Sequence, residues 1–134
     1  MKRIKPEMWE PADDMPLESN ALDVAKTSGN TLVVAGPGAG KTELLAQKAS
    51  YLLQTNTCPF PYKILAISFK RDAAFNLKER VHKRCGDELS KRFESLTFDS
   101  FAKQILDRFK EGLPNGNKVS AEYDIVIQDQ TVLD

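Results

Sequence analysis

At 134 residues the chain is one domain's worth, long enough to enclose a single hydrophobic core. Apolar residues make up 41% and charged residues 28%, ordinary for a soluble globular protein, and Lys+Arg and Asp+Glu both total 19, so net charge points to no partner. Two cysteines without paired spacing exclude a disulfide framework and a cysteine metal site, and suit a reducing cytoplasm.

Charge is nevertheless unevenly placed. Residues 70–92 carry eight basic side chains (Lys70, Arg71, Lys78, Arg80, Lys83, Arg84, Lys91 and Arg92) against four acidic ones. The first 30 residues sum to −2 and residues 111–134 to −4. A basic middle between acidic ends suits an anionic polymer or, equally simply, a solvated helix face. No apolar stretch approaches ~18 residues, and the opening "MKRIKPEMWE" lacks the apolar segment of a signal peptide. The expectation is a cytoplasmic protein with no membrane partner.

Residues 1–16 hold three of the seven prolines and read as an irregular lead-in, with Trp9 either pinning it to the domain or part of a loose tail. "LESNALDVAKT" places Ala21, Val24 and Ala25 at helical spacing, with Ser19 or Asn20 suited to cap the helix and Gly29-Asn30 to end it. "TLVVA" is continuous, β-branched and followed by glycine, the pattern of a buried strand. A helix follows with Leu45, Ala49, Leu52 and Leu53 on one face, then a loop punctuated by Pro59 and Pro61. "KILAISF" predicts a second buried strand, and Asp72 to Arg84 a helix with Ala74, Leu77 and Val81 inward. "ESLTF" predicts a short strand, "SFAKQILDRF" a helix with Phe101, Ile105 and Phe109 inward, and "YDIVIQ" a last strand after a turn-rich loop. Strands alternating with helices predict an α/β domain built from parallel β-α-β units.

One stretch carries chemistry. Between "TLVVA" and the following helix lie Ala35, Gly36, Pro37, Gly38, Ala39, Gly40, Lys41, Thr42 and Glu43. This fits a phosphate-binding loop ending in Gly-Lys-Ser/Thr, with Ala35 in place of the first glycine. Glycines let successive backbone N–H groups converge on phosphate oxygens, and the helix N-terminus adds partial positive charge. Lys41 is then suited to the β- and γ-phosphates of ATP, and the Thr42 hydroxyl to one position on Mg²⁺.

Three stretches together resemble the UvrD/Rep-type superfamily 1 DNA helicases: "AGPGAGKT", "ILAISFKRDAAFNLKERV" and "TFDSFAKQIL". The second is similar to the family's motif Ia, a strand running into T-F-T-N-K-A-A-x-x-M-x-x-R. Here Ser68-Phe69, Ala73-Ala74, Leu77 and Arg80 stand at the matching positions. The third is similar to T-F-H-S-F-x-x-x-I-L, with Asp99 in place of histidine, an aspartate equally suited to cap the helix it precedes. The resemblance covers about Leu17 to Phe109, and both order and spacing match.

That resemblance implies a three-layer, RecA-like P-loop NTPase fold with a parallel sheet, incomplete in this chain. Residues 1–16 are the lead-in, 17–110 the first part of a motor domain, and 111–134 a loop and strand leading onward. It implies ATP with Mg²⁺ as cofactors and single-stranded DNA as partner, with 3′ to 5′ movement of the parent protein. Asn20 falls where the family reads adenine with a glutamine, keeping the amide on a side chain one methylene shorter. Phe69 falls where a ring meets DNA bases, flanked by Ser68 and Lys70; Arg80, Thr97 and Ser100 fall on positions suited to backbone phosphates. For Phe69 the plain alternative is a core residue, for Arg80 a solvated one, and the lone His82 reads as surface.

Hydrolysis needs one carboxylate to hold Mg²⁺ and another to orient water. The candidate is Asp129, with Gln130 where the second carboxylate belongs. The resemblance puts that Asp-Glu pair, and a second motor domain in cis, beyond residue 134. The chain by itself is therefore expected to be inactive, with exposed strand edges open to self-association. Two other readings remain: a stand-alone nucleotide-binding regulatory module without catalysis, and a small-substrate phosphotransferase.

Overall fold

The computed structural model describes residues 3–11, 17–37 and 40–124. It divides into two units, Met1–Phe98 and Asp99–Asp134.

In the first unit, helix α1 spans Ser19–Lys26, with Glu18 rather than Ser19 or Asn20 at the N-cap and no side-chain cap bond there. It stops at Thr27, ahead of Gly29, where the Thr27 N–H and hydroxyl both bond the Asp23 carbonyl at 2.8 and 2.7 Å. Lys48 closes the same end from outside, its ammonium donating to the carbonyls of Val24 (3.0 Å) and Thr27 (2.7 Å). A cation on the last carbonyls of a helix meets its negative end. Helix α2 spans Lys41–Gln54, strand β1 Ile64–Ser68, helix α3 Arg71–Ser90 and strand β2 Phe93–Thr97.

The two strands are parallel, in register from Ile64 opposite Phe93 to Ser68 opposite Thr97. Parallel neighbours require a crossover, and α3 supplies it. Its inward residues, Ala74, Leu77, Val81 and Cys85, recur every three or four positions and are all buried. They meet Ala46, Ala49 and Leu53 of α2 and Phe93 of β2 to form the core, with Ile64 and Ala66 packed against it. The predicted helix end at Arg84 falls just before Gly86, whose φ of 74° and ψ of 178° interrupt α3. A left-handed residue inside a helix favours glycine, so the break sits where the sequence allows it.

Three expectations meet a different local structure. Helix α2 turns Glu43, Gln47 and Ser50 inward with Ala46 and Ala49, and leaves Leu45 55% exposed. The polar residues are tolerated inside because each is hydrogen-bonded. Thr31–Ala35 is not a strand: Leu32 is 89% and Val34 88% exposed, and β1 and β2 pair only with each other among the described residues. Apolar β-branched sequence favours a buried strand only where other strands offer backbone partners. Strand β1 is likewise half-buried rather than buried throughout.

The described part of the lead-in is pinned at Trp9. Trp9 is 2% exposed, edge-on to Tyr51 at 5.4 Å, with its indole N–H donating to Gln54 Oε1 at 2.7 Å. Arg92 ties the loop after α2 in place, donating to the carbonyls of Cys58 (2.6 Å) and Tyr62 (2.9 Å).

The second unit holds most of helix α4, Phe98–Phe109, followed by two short 3-10 turns. None of α4's residues is buried: Phe101 is half-buried, and Ile105 and Phe109 remain 44% and 59% exposed, against the inward face expected of them. Lys103 pairs with Asp107 at 2.7 Å one turn along, and the Tyr123 hydroxyl donates to the same carboxylate. The Lys103 bond holds the Asp107 carboxyl below its usual range. The proposed strand at "YDIVIQ" lies, from Ile125 on, outside the described residues, as does Asp129.

Candidate functional site

Helix α2 begins where the glycine-rich bend ends. Gly40 occupies its N-cap position with φ 72° and ψ 23°, the left-handed region, so a side chain there is strained even though open space surrounds it. Lys41 and Thr42 are therefore the first two helical residues, both exposed, at the positive end of the helix dipole. The Lys41 ammonium folds back over the bend and donates to the carbonyls of Ala35 (3.1 Å) and Gly36 (3.4 Å). Those bonds are solvent-exposed and weak, so a phosphate group arriving at the helix end competes for the ammonium on favourable terms. Gly36 and Pro37 are exposed; Gly38 and Ala39 lie outside the described residues. The donor set present, an ammonium, a hydroxyl and a helix N-terminus, fits a nucleotide's phosphates with their magnesium ion.

Beside this end lies a largely apolar pocket of about 490 Å³, lined by Val24, Val33, Lys41, Leu44, Leu45 and Lys48 among others. Asn20 is exposed in the first turn of α1, one turn before Val24 and so on the same helix face.

Glu43 is placed differently from its two predecessors. It is 7% exposed and faces α3, where Arg80 Nη1 bonds its Oε2 at 2.7 Å and Arg84 Nη2 bonds its Oε1. Gln47 donates to the same Oε1 at 2.9 Å from one turn along α2. Arg80, expected either on DNA phosphate or on the wet face, is an ion-pair partner of the cradle helix, with its side chain still 42% exposed.

The carboxyl ends of the two strands carry aromatic residues. Ser68 closes β1 opposite Thr97, which closes β2 and is buried. The next residue of each, Phe69 and Phe98, brings a ring outward: Phe69 is 90% and Phe98 51% exposed, with centroids 5.2 Å apart and planes tilted by 46°. Lys70 follows, exposed, at the N-cap of α3. Ser100 is exposed in the first turn of α4 and belongs to the second unit. His82 is on the surface, 2.6 Å from Asp87. Asp99 lies inside the first turn of α4, one residue past its start.

Sequence reasoning missed the Glu43–Arg80–Arg84 cluster and Phe98. A signal for the first was present: two arginines four apart on one helix need a shared acidic partner when that face packs inward. A signal for the second was the repetition of phenylalanine just past two neighbouring strands.

Parallel strands joined by a crossover helix, with a glycine bend opening the preceding helix, define an α/β unit of the RecA-like kind, here incomplete. The chain matches the UvrD/REP helicase N-terminal domain over residues 17–132. It is 37% identical over 108 residues to an ATP-dependent DNA helicase PcrA of Staphylococcus aureus, covering 81% of this chain and 14% of that protein. PcrA of Staphylococcus epidermidis is 36% identical over 108 residues (81% and 14%), and PcrA of Leuconostoc citreum 34% over 90 residues (67% and 12%). The chain belongs to the UvrD/REP helicase family. It spans about one seventh of the length of these relatives, 14% of the Staphylococcus proteins. Among the described residues no helix is long and apolar enough to cross a membrane.

Proposed function

We propose that this chain is the ATP-binding front part of a DNA motor that moves along single strands, 3′ to 5′, in the cytoplasm. The observation that carries the reading is the exposed Phe69–Phe98 pair at the carboxyl ends of paired parallel strands, in the same unit as the phosphate cradle. Ligands of open α/β sheets bind outside those strand ends. A solvent-exposed ring there is costly unless something stacks on it, and every nucleobase has a face to offer.

The residues divide the work. Lys41 leaves the carbonyls of Ala35 and Gly36 and bonds the outer phosphates of ATP, drawing negative charge to the α2 terminus. The Thr42 hydroxyl would help hold the magnesium ion, whose charge would offset that of the phosphates. The apolar pocket beside Val24 and Leu44 takes the nucleoside, and the Asn20 amide, one turn before Val24 on α1, reads the base. Phe69 stacks on a base, and Ser68 and Lys70 flank it at the end of β1; Thr97 is buried and so takes no part in holding the strand. Orientation of the attacking water belongs to further residues of the parent protein, supplied in cis, so this chain alone binds and does not turn over.

Fluorescence anisotropy of a labelled oligothymidylate tests the strand half of this reading. Stacking contributes ~1–3 kcal/mol per base, so Phe69→Ala is expected to weaken binding roughly 10-fold. Equal affinity for wild type and Phe69→Ala contradicts it.

A further inference from the structure

We propose that Trp9 is a positioning residue for the nucleoside pocket, holding helix α1 at the separation from α2 that a base requires. The inference rests on the reading of that pocket as the place of the nucleoside of ATP.

Trp9 belongs to the lead-in, ahead of the stretch 17–132 that matches the helicase domain. It is nevertheless enclosed, and it ties three helices together. Its ring meets Tyr51 of α2 at a steep 78°, and its indole N–H donates to Gln54 Oε1 near the end of the same helix. The Gln54 amide in turn donates to the Arg84 carbonyl of α3 at 3.3 Å. The Lys26 ammonium, from the last residue of α1, lies over the Trp9 ring, 5.9 Å from its centre, within reach of a cation–π attraction. The lead-in is itself fixed to the end of α2: the Ile4 N–H donates to the Gln54 carbonyl at 3.0 Å and Arg3 Nε to the Thr55 carbonyl at 2.8 Å.

Helix α1 needs such a tie. It has eight residues, of which only Ala25 is buried, too short to persist without packing. It is also one wall of the pocket, because Val24 faces Leu44 and Leu45 of α2 across it. From α2, Lys48 holds the end of α1 by the Val24 and Thr27 carbonyls. A short helix held by one side chain can pivot, and a second tie, Trp9 on Lys26, removes that freedom. A wall displaced by a fraction of an ångström forfeits much of its dispersion contact with a base. The phosphates depend on different groups, Lys41 and Thr42 at the start of α2. Neither Trp9 nor Lys26 lines the pocket, so whatever either does for the nucleoside passes through α1.

The test displaces a fluorescent ATP analogue, in the presence of Mg²⁺, with ATP and separately with inorganic tripolyphosphate, which occupies the cradle but has no base. Burial of a base in an apolar pocket leads wild type to bind ATP roughly 10-fold more tightly than tripolyphosphate. In Trp9→Ala the ratio is expected to fall below about 3, while tripolyphosphate affinity holds. Lys26→Met keeps the apolar stem and removes only the cation over the ring, and is expected to lower the ratio by roughly 2- to 3-fold. Its lost charge affects two polyanions alike and cancels in the ratio. Trp9→Ala is checked for helix content by circular dichroism, and where it does not fold, Lys26→Met decides alone. A wild-type ratio kept in the folded variants, including one kept while both affinities drop in step, assigns Trp9 to stability alone; it overturns the inference and leaves the functional reading intact. A ratio near one in wild type overturns both.

Discussion

The Glu43 cluster makes a quantitative demand on stability that separates its two arginines. Arg84 is nearly enclosed, its side chain 11% exposed against a Glu43 side chain at 9%. Removing one member of a buried pair leaves the other charged and desolvated, at a cost of ~3–5 kcal/mol. Glu43 would still have Arg80 and Gln47, so the lower end applies, and Arg84→Ala is expected to cost about 3 kcal/mol. Arg80 bonds the same carboxylate, but at 42% exposure its contribution is screened by water. Arg80→Ala therefore costs less than about 1 kcal/mol. Urea denaturation followed by far-UV circular dichroism reads both. With a slope of ~1–2 kcal/mol per molar urea, the midpoint falls by roughly 2 M for Arg84→Ala and by well under 1 M for Arg80→Ala. Equal shifts, or a larger shift for Arg80→Ala, would refute the reasoning that burial sets the value of each pair.

Lys48, which closes the end of α1 with two hydrogen bonds, is expected to cost about 1–2 kcal/mol when replaced by methionine, measured by the same urea titration. Burial lowers the Lys48 pKa, so between that value and the ordinary lysine range the unfolded chain holds more protons than the folded one. Stability should therefore gain a component that rises with alkaline pH in wild type and is missing in Lys48→Met; identical pH profiles would contradict this. Burial pushes the Cys85 thiol up, and the residue is 5% exposed, whereas Cys58 lies half-buried in the loop after α2. A thiol reagent should accordingly label Cys58 fast and Cys85 only as the protein unfolds. Two equal labelling rates would show that α3 does not protect its inner face.

What could be read from the residues depended on whether a signal was local. The spacing of Ala74, Leu77 and Val81 identifies α3's inner face because three apolar residues at helical intervals admit one orientation. The glycines around Lys41 identify the cradle because few other loops need that freedom. Helix α2 resisted the same reading: hydropathy favours Leu45 inside, but Glu43, Gln47 and Ser50 go there because Arg80, Arg84 and the Ala46 carbonyl satisfy them. Such partners lie up to 41 residues away and leave no periodic trace. "TLVVA" shows the converse limit, since its composition specifies burial but not which strands provide it. Trp9 was open in the sequence and is decided by Tyr51 and Gln54, more than 40 residues on.

The central claim is that the bend before α2 receives ATP. Titrating the protein with a fluorescent ATP analogue and Mg²⁺, beside Lys41→Ala, tests it most directly. Wild type is expected to show saturable binding and Lys41→Ala to lose it, with helix content unchanged by circular dichroism. Binding that is equally tight in both proteins would contradict it, because the ammonium now resting on Ala35 and Gly36 would then have no part in holding phosphate.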